Sequence, residues 1–169
     1  MDALDAILKR RSIRRYQGIA VTDEQLKVLL EAAMAAPSAG NQQPWRFVVV
    51  TARETLDALA AAHPYAKMLH QAPAAVVVCG DTAVDKHPRF WPQDCAAATQ
   101  NLLVAATALG LGSCWVGVHP HAEREAAVRK VLDLPAAITP LALVALGYAA
   151  EEKGPVLRYN DDYIHREKW

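Results

Sequence analysis

The sequence predicts an α+β sandwich, a mixed β-sheet flanked by helices on both faces. Three observations lead there. Short runs rich in β-branched and aromatic residues, such as WRFVVVT at residues 45–51 and AAVVVC at 74–79, alternate with segments of helical period. These runs are apolar at consecutive positions, as expected of strands covered on both faces. One long stretch, residues 94–117, carries no charge after Asp94, and a helix drawn through residues 95–109 is apolar all round. Such a helix is buried on every side, in a core or in a membrane. A span needs about twenty apolar residues. Here Thr99, Gln100, Asn101 and Thr107 interrupt the run, and Gly110 and Gly112 end it, so a central core helix is expected.

Each element has a local cause. Asp2 can cap a first helix with Leu4, Ile7 and Leu8 on one face. That helix runs into Arg10-Arg11-Ser12-Ile13-Arg14-Arg15. Thr22 and Gln25 have capping-box spacing, and Leu26, Leu29, Leu30 and Ala33 follow on one helical stripe. Pro37 stops this second helix. A polar loop with a proline at each end, residues 37–44, leads into the first strand. Residues 52–62 read as a helix ended by His63-Pro64, and 81–92 as a loop before the central helix. Gly110 can take the left-handed conformation that closes a helix. Residues 113–118 read as a strand, Pro120 as the start of a helix, and 141–146 (LALVAL) as a fourth strand. The remainder, 148–169, is polar without helical period. With no repeat and no linker, residues 1–169 are expected to form a single domain.

Composition excludes some function classes. Eighteen basic and eighteen acidic residues cancel, which argues against a nucleic-acid binder and leaves self-association unopposed by charge. Cys79, Cys95 and Cys114 stand in apolar runs without CxxC spacing, as buried thiols do. The first eleven residues are amphipathic and lack the apolar core of a signal peptide, so a cytoplasmic protein is expected, with no membrane association. No GxGxxG follows a strand and no P-loop occurs, so neither a dinucleotide fold nor an NTPase is indicated.

Several residues could carry chemistry. Arg10, Arg11, Arg14 and Arg15 crowd one turn with Ser12 between them, and they match phosphate oxygens or form a solvated helix end complementing the dipole. Ser38, Asn41, Gln42 and Gln43 could read the edge of a planar ring, or belong to a plain surface loop. Cys114 reads as a structural thiol more readily than as a nucleophile. His119 and His121 flank a proline, but no acidic or thiol ligand set accompanies them, and no metal site is expected.

Four segments in order, RRSIRRY, PSAGNQQPW, GLGSCWVG and GPVLRYNDDYIHREKW, resemble the nitroreductase family of FMN-dependent oxidoreductases, its compact members especially. The resemblance spans nearly the whole chain. It implies the α+β fold of that family, an intertwined homodimer, and one FMN in each of two sites at the dimer interface. It further implies that Arg10, Arg11, Ser12 and Arg14 contact the flavin phosphate and ribityl chain. Pro37, Ser38, Ala39 and Asn41 would reach the partner's flavin. Trp115, Val116 and Gly117 would present backbone to the N5 and O4 side of the ring. Arg158 would close on the phosphate, and Lys67 would lie near the pyrimidine edge. The pattern departs from the family at Val156, where a second basic residue is frequent, and from many larger members at Val116 and Pro64, where they place an acid and an asparagine.

The expected activity is hydride transfer from NADH or NADPH through FMN to an acceptor such as a nitroaromatic or quinone, with donor and acceptor using one site in turn. No general acid or base is named, because the cofactor carries the chemistry. The alternative is a flavin-binding protein that stores, delivers or consumes FMN with little turnover of an outside substrate. A cofactor-free interaction module is the third reading.

Overall fold

The computed structural model describes residues 1–84, 86–87, 89–154 and 156–169. Asp85 and Pro88 of the 81–92 segment, and Pro155 of the C-terminal motif, lie outside them. The order is α1 (Ala3–Lys9), α2 (Asp23–Met34), β1 (Trp45–Val50), α3 (Arg53–Ala62), β2 (Ala74–Asp81), α4 (Trp91–Ala108), β3 (Gly112–Gly117), α5 (Ala122–Leu132) and β4 (Ile138–Gly147). The strands lie in the order β1-β2-β4-β3.

The expected α+β class holds, and every pairing between these strands is antiparallel. The parallel component of the expected mixed sheet is confined to one isolated bridge, Ser12 to Ser113. β2 and β4 are central, and almost every residue in them is buried. One core lies between the sheet and α3, α5 and the N-terminal segment. The other lies between the sheet and helices α2 and α4. Burying a Val, Leu or Ile side chain is worth about 1.5–3 kcal/mol, so these two layers hold the sandwich together.

Local signals acted as the sequence implied. Asp2 accepts the Asp5 N–H at 2.8 Å. Both bonds of the Thr22–Gln25 capping box form. Gly110 takes φ +75° just past α4, which lets Leu111 N–H donate back to the Ala106 carbonyl at 2.8 Å.

Helix α1 carries the expected stripe, and four other expectations need correction. Helix α1 buries only Ala6, whereas Leu4, Ile7 and Leu8 face outward. The stripe was visible in the sequence, but not what it packs against. Helix α4 starts at Trp91, because Pro92 suits a first helical turn whose N–H groups have no intrahelical partner. It is not buried all round: Gln93, Gln100 and Ala108 are exposed, and Ala96, Ala97 and Ala105 only half-buried. Helix α5 begins at Ala122, two residues after Pro120. The four arginines do not share a helical turn, since α1 ends at Lys9.

Residues 10–15 instead run extended beside the outer edge of β3. Ile13 N–H donates to the Ser113 carbonyl at 2.9 Å, and Ala150 N–H to the Arg15 carbonyl at 2.8 Å. Lys153 Nζ donates to the Ser12 carbonyl at 2.6 Å. Ile13 packs against Gly112 so closely that a β-carbon there would sit 2.9 Å from the isoleucine methyl. That glycine is what lets the basic segment approach the strand.

Candidate functional site

Strand β3 is an edge strand, and an edge presents backbone N–H and C=O groups on its unpaired side. Beyond the Ser12 bridge, a cavity of about 630 Å³ opens against Cys114, Trp115, Val116 and Gly117. Its other walls are Arg14, the turn Pro64–Tyr65, the 3₁₀ segment carrying Lys67 and Met68, then Gln71 and Arg124. The volume lies within the roughly 300–1,000 Å³ of small-molecule sites. Among the described residues the lining holds three cationic side chains and no carboxylate.

Each wall is held from behind. Arg53 reaches from α3 and donates to the carbonyls of His70, Leu69 and Ala72 at 2.6, 2.8 and 2.9 Å. This fixes the segment that carries Lys67. Arg14 N–H donates to Glu151 Oε1 at 2.6 Å. That bond first, and Lys153 beside it, hold the Glu151 carboxyl below its usual range.

His63 is buried and joins two walls. Its Nδ1 accepts the Tyr65 N–H at 3.2 Å, so the ring proton sits on Nε2, which donates to the Gly117 carbonyl at 3.0 Å. Burial pushes its pKa below the ordinary imidazole value and keeps the ring neutral, the state this pair of bonds requires.

The expected site residues fall into three groups. Arg14, Lys67, Trp115, Val116 and Gly117 line the cavity. Arg10, Arg11 and Arg158 line a second cleft with Ile7, Leu8, Val156 and Tyr159, and Ser12 lies on the bridge to β3 between the two arginine groups. Pro37, Ser38, Ala39 and Asn41 line neither. Their loop is anchored on the first turn of α4, where buried Asp94 accepts the Ala39 N–H at 3.0 Å and the Gln42 amide at 2.8 Å. Gly40, Asn41 and Gln43 all have positive φ, and a β-carbon on Gly40 would run into the His87 ring.

Tyr65, Met68, Gln71 and Arg124 were not singled out from the sequence. Arg124 looks like any solvated charge on α5, and Tyr65 like a residue in a helix stop; nothing local marks them. Cys114 is buried, and burial raises its thiol pKa, so it suits a structural role. His119 Nδ1 lies 2.7 Å from Glu125 Oε1, and its ring packs on Trp91.

The donor set suits a flavin mononucleotide. A broad cavity beside a strand edge fits a planar ring, and an adjoining cleft with three arginines fits a phosphate dianion.

Known proteins give the same direction. The model of the nitroreductase family matches residues 7–63 and 59–148. A protein of Archaeoglobus fulgidus, provisionally named NADH dehydrogenase/NAD(P)H nitroreductase, is 48% identical, with 99% of each chain covered. A crystal structure from Parabacteroides distasonis, provisionally named in the same words, is 42% identical, with a TM-score of 0.95 over 99% of this chain and 98% of that one. A nitroreductase-like protein of Desulfovibrio desulfuricans, solved in complex with FMN, is 33% identical, with a TM-score of 0.86 over 100% of this chain and 98% of that one.

Proposed function

The chain belongs to the nitroreductase family of NAD(P)H oxidoreductases, and from that membership we propose that the cavity beside β3 and the neighbouring arginine cleft form one FMN site, used in turn by a reduced nicotinamide nucleotide and an electron acceptor. When bound, FMN supplies the acceptance and onward transfer of hydride and electrons. The chain binds and orients it. Arg10, Arg11, Ser12 and Arg158 take the phosphate, where planar guanidinium forks pair with two oxygens at a time. Arg14 and Lys67 lie against the polar edge of the ring and favour negative charge there. The outward backbone of Trp115 and Gly117, with the Val116 side of the strand between them, would line the ring. Preorganised donors of this kind act without reorganising during the reaction.

The observation that carries this reading is that one extended segment lends Arg14 to a cavity without a carboxylate among the described residues, and Arg10 and Arg11 to a second cleft shared with Arg158. The cavity is one space with no second nucleotide motif, which supports a shared site and ping-pong kinetics. Nitroaromatics and quinones, flat and electron-poor, suit the space left above a planar ring.

A second copy of the chain completes the site in this proposal. Leu4, Ile7 and Leu8 are at least half exposed on one helix, at 71%, 50% and 70%, and Leu157 is 97% exposed. Apolar groups placed together on a surface mark a contact. The Pro37, Ser38, Ala39 and Asn41 loop, anchored on Asp94 yet lining neither the cavity nor the arginine cleft, is suited to reach the flavin of the partner. The single domain over residues 1–169 is the unit that pairs.

Reconstitution with flavin, extraction and chromatography test the cofactor; initial rates at several acceptor concentrations test the order of events. FMN recovered in preference to FAD, with parallel double-reciprocal lines, is the expected result. Intersecting lines would place donor and acceptor on the protein together and end the shared-site reading. Stored flavin without NAD(P)H oxidation would favour a carrier instead.

A further inference from the structure

One cation in the cavity has no task in the flavin site. Arg124 stands in the first turn of α5, half-buried, at the Gly117 end of β3. Arg14 stands toward the other end, near Cys114, and the phosphate cleft lies beyond it. Among the described residues no ion pair joins Arg124 to a carboxylate. Its neighbour Glu125 is engaged by His119 at 2.7 Å, and adjacent helical positions do not face one another.

The guanidinium is nevertheless held in place. It packs over the Tyr65 ring at 5.3 Å from the ring centre, and Nη1 donates to the Gly117 carbonyl at 3.3 Å. Both supports hang on His63, which binds Tyr65 N–H on one side and the Gly117 carbonyl on the other. A cation–π contact leaves the donors around the guanidinium rim available. This is an immobilised, uncompensated fork at the lip of a cavity, which costs a ligand less ordering than a free side chain would.

We propose that Arg124, seated on Tyr65, binds an oxyanion, carboxylate or phosphate, carried by the planar molecule that shares the cavity with the flavin. The inference rests on the reading above and deepens it: anionic aromatic substrates are preferred over neutral ones of the same shape. Two sources offer that chemistry, a carboxylate on the acceptor and the phosphate beside the ribose of the nicotinamide donor. Arg124 is therefore a specificity-determining residue.

Calorimetric titration of the FMN-loaded protein with para-nitrobenzoate and para-nitrobenzamide reads the carboxylate source. KM values for reduced nicotinamide mononucleotide and reduced nicotinamide riboside, which lacks the phosphate, read the other. In either arm the charged member is expected to bind better by roughly tenfold, as a charge-assisted bond implies. Arg124→Gln brings the pair within about twofold, and Arg124→Lys restores part of the preference. Discrimination in one arm identifies the source; discrimination in both means that the two substrates share the contact. The proposal is overturned if neither pair is discriminated, if the preference survives in Arg124→Gln, or if that variant weakens charged and neutral members equally. It is also overturned if Arg124→Gln loses FMN itself, since the arginine would then belong to the flavin mount. Should the protein retain no flavin at all, the oxidoreductase reading fails separately. The nitrobenzoate titration on flavin-free protein still gives the oxyanion preference and its loss in the variant.

Discussion

Ser113 buries a side-chain hydroxyl that has no hydrogen-bond partner among the described residues. A buried polar group left unpaired costs about 1–3 kcal/mol, so Ser113→Ala is expected to be neutral or stabilising by about 1 kcal/mol in urea unfolding. A clear loss would mean that the hydroxyl is paired in the working protein. His63 gives a pH signature. Its folded pKa lies below its unfolded value, so the unfolded chain binds the proton more readily. Its contribution is complete above the unfolded value of about 6.5 and is lost as pH falls from there through the folded pKa. Urea midpoints should therefore fall on that acid side, and His63→Gln, which cannot titrate but can donate and accept, should flatten this part of the profile. An unchanged slope would remove His63 from the account. At this scale the sequence was uneven. Arg14, Trp115 and Gly117 stood in readable motifs, but Tyr65 and Arg124 are joined only by a fold that brings the end of α3 to the start of α5. The neutral tautomer of His63 depends on two backbone atoms that no sequence pattern reveals.

The element that positions the candidate site is β3, with the basic segment bridged to its edge and the polar loop clamped to α4 nearby. Asp94 is the clamp. Asp94→Ala would leave the Ala39 N–H and the Gln42 amide without their acceptor, at about 1–3 kcal/mol. Flavin affinity should fall with it, because the loop loses its anchor, while Asp94→Asn, keeping one acceptor, should lose less. Fluorescence quenching of added FMN reads this. Equal affinity in Asp94→Ala would detach the loop from the site. Strands, caps and the Gly110 stop were legible because each depends on a few neighbouring residues. The start of α4 was not, because Trp91 and Pro92 resemble loop residues until their packing is known. The arginine run was taken as one turn because nothing local says that it pairs with a strand a hundred residues away.

For the molecule as a whole, the alternation of helix and strand was enough for the α+β class, but the antiparallel order β1-β2-β4-β3 is a long-range outcome. A dimer, as proposed, would account for the outward stripe of α1. In that dimer, Leu4→Glu, which lies outside the arginine cleft, puts a carboxylate into an apolar contact, an expensive burial without a partner. Sedimentation should show monomer, and FMN affinity should fall in the same samples; a monomer that holds FMN as tightly as the wild type would separate the interface from the site. The central claim is that the β3 cavity and the arginine cleft are one FMN site. Its most direct measurement is the affinity of FMN against riboflavin, which lacks the phosphate, in the wild type and in Arg158→Gln. FMN should bind the wild type more tightly than riboflavin, and Arg158→Gln should cut that advantage by roughly tenfold while leaving riboflavin affinity unchanged. Equal binding of FMN and riboflavin by the wild type, or an advantage that persists undiminished in Arg158→Gln, would contradict it.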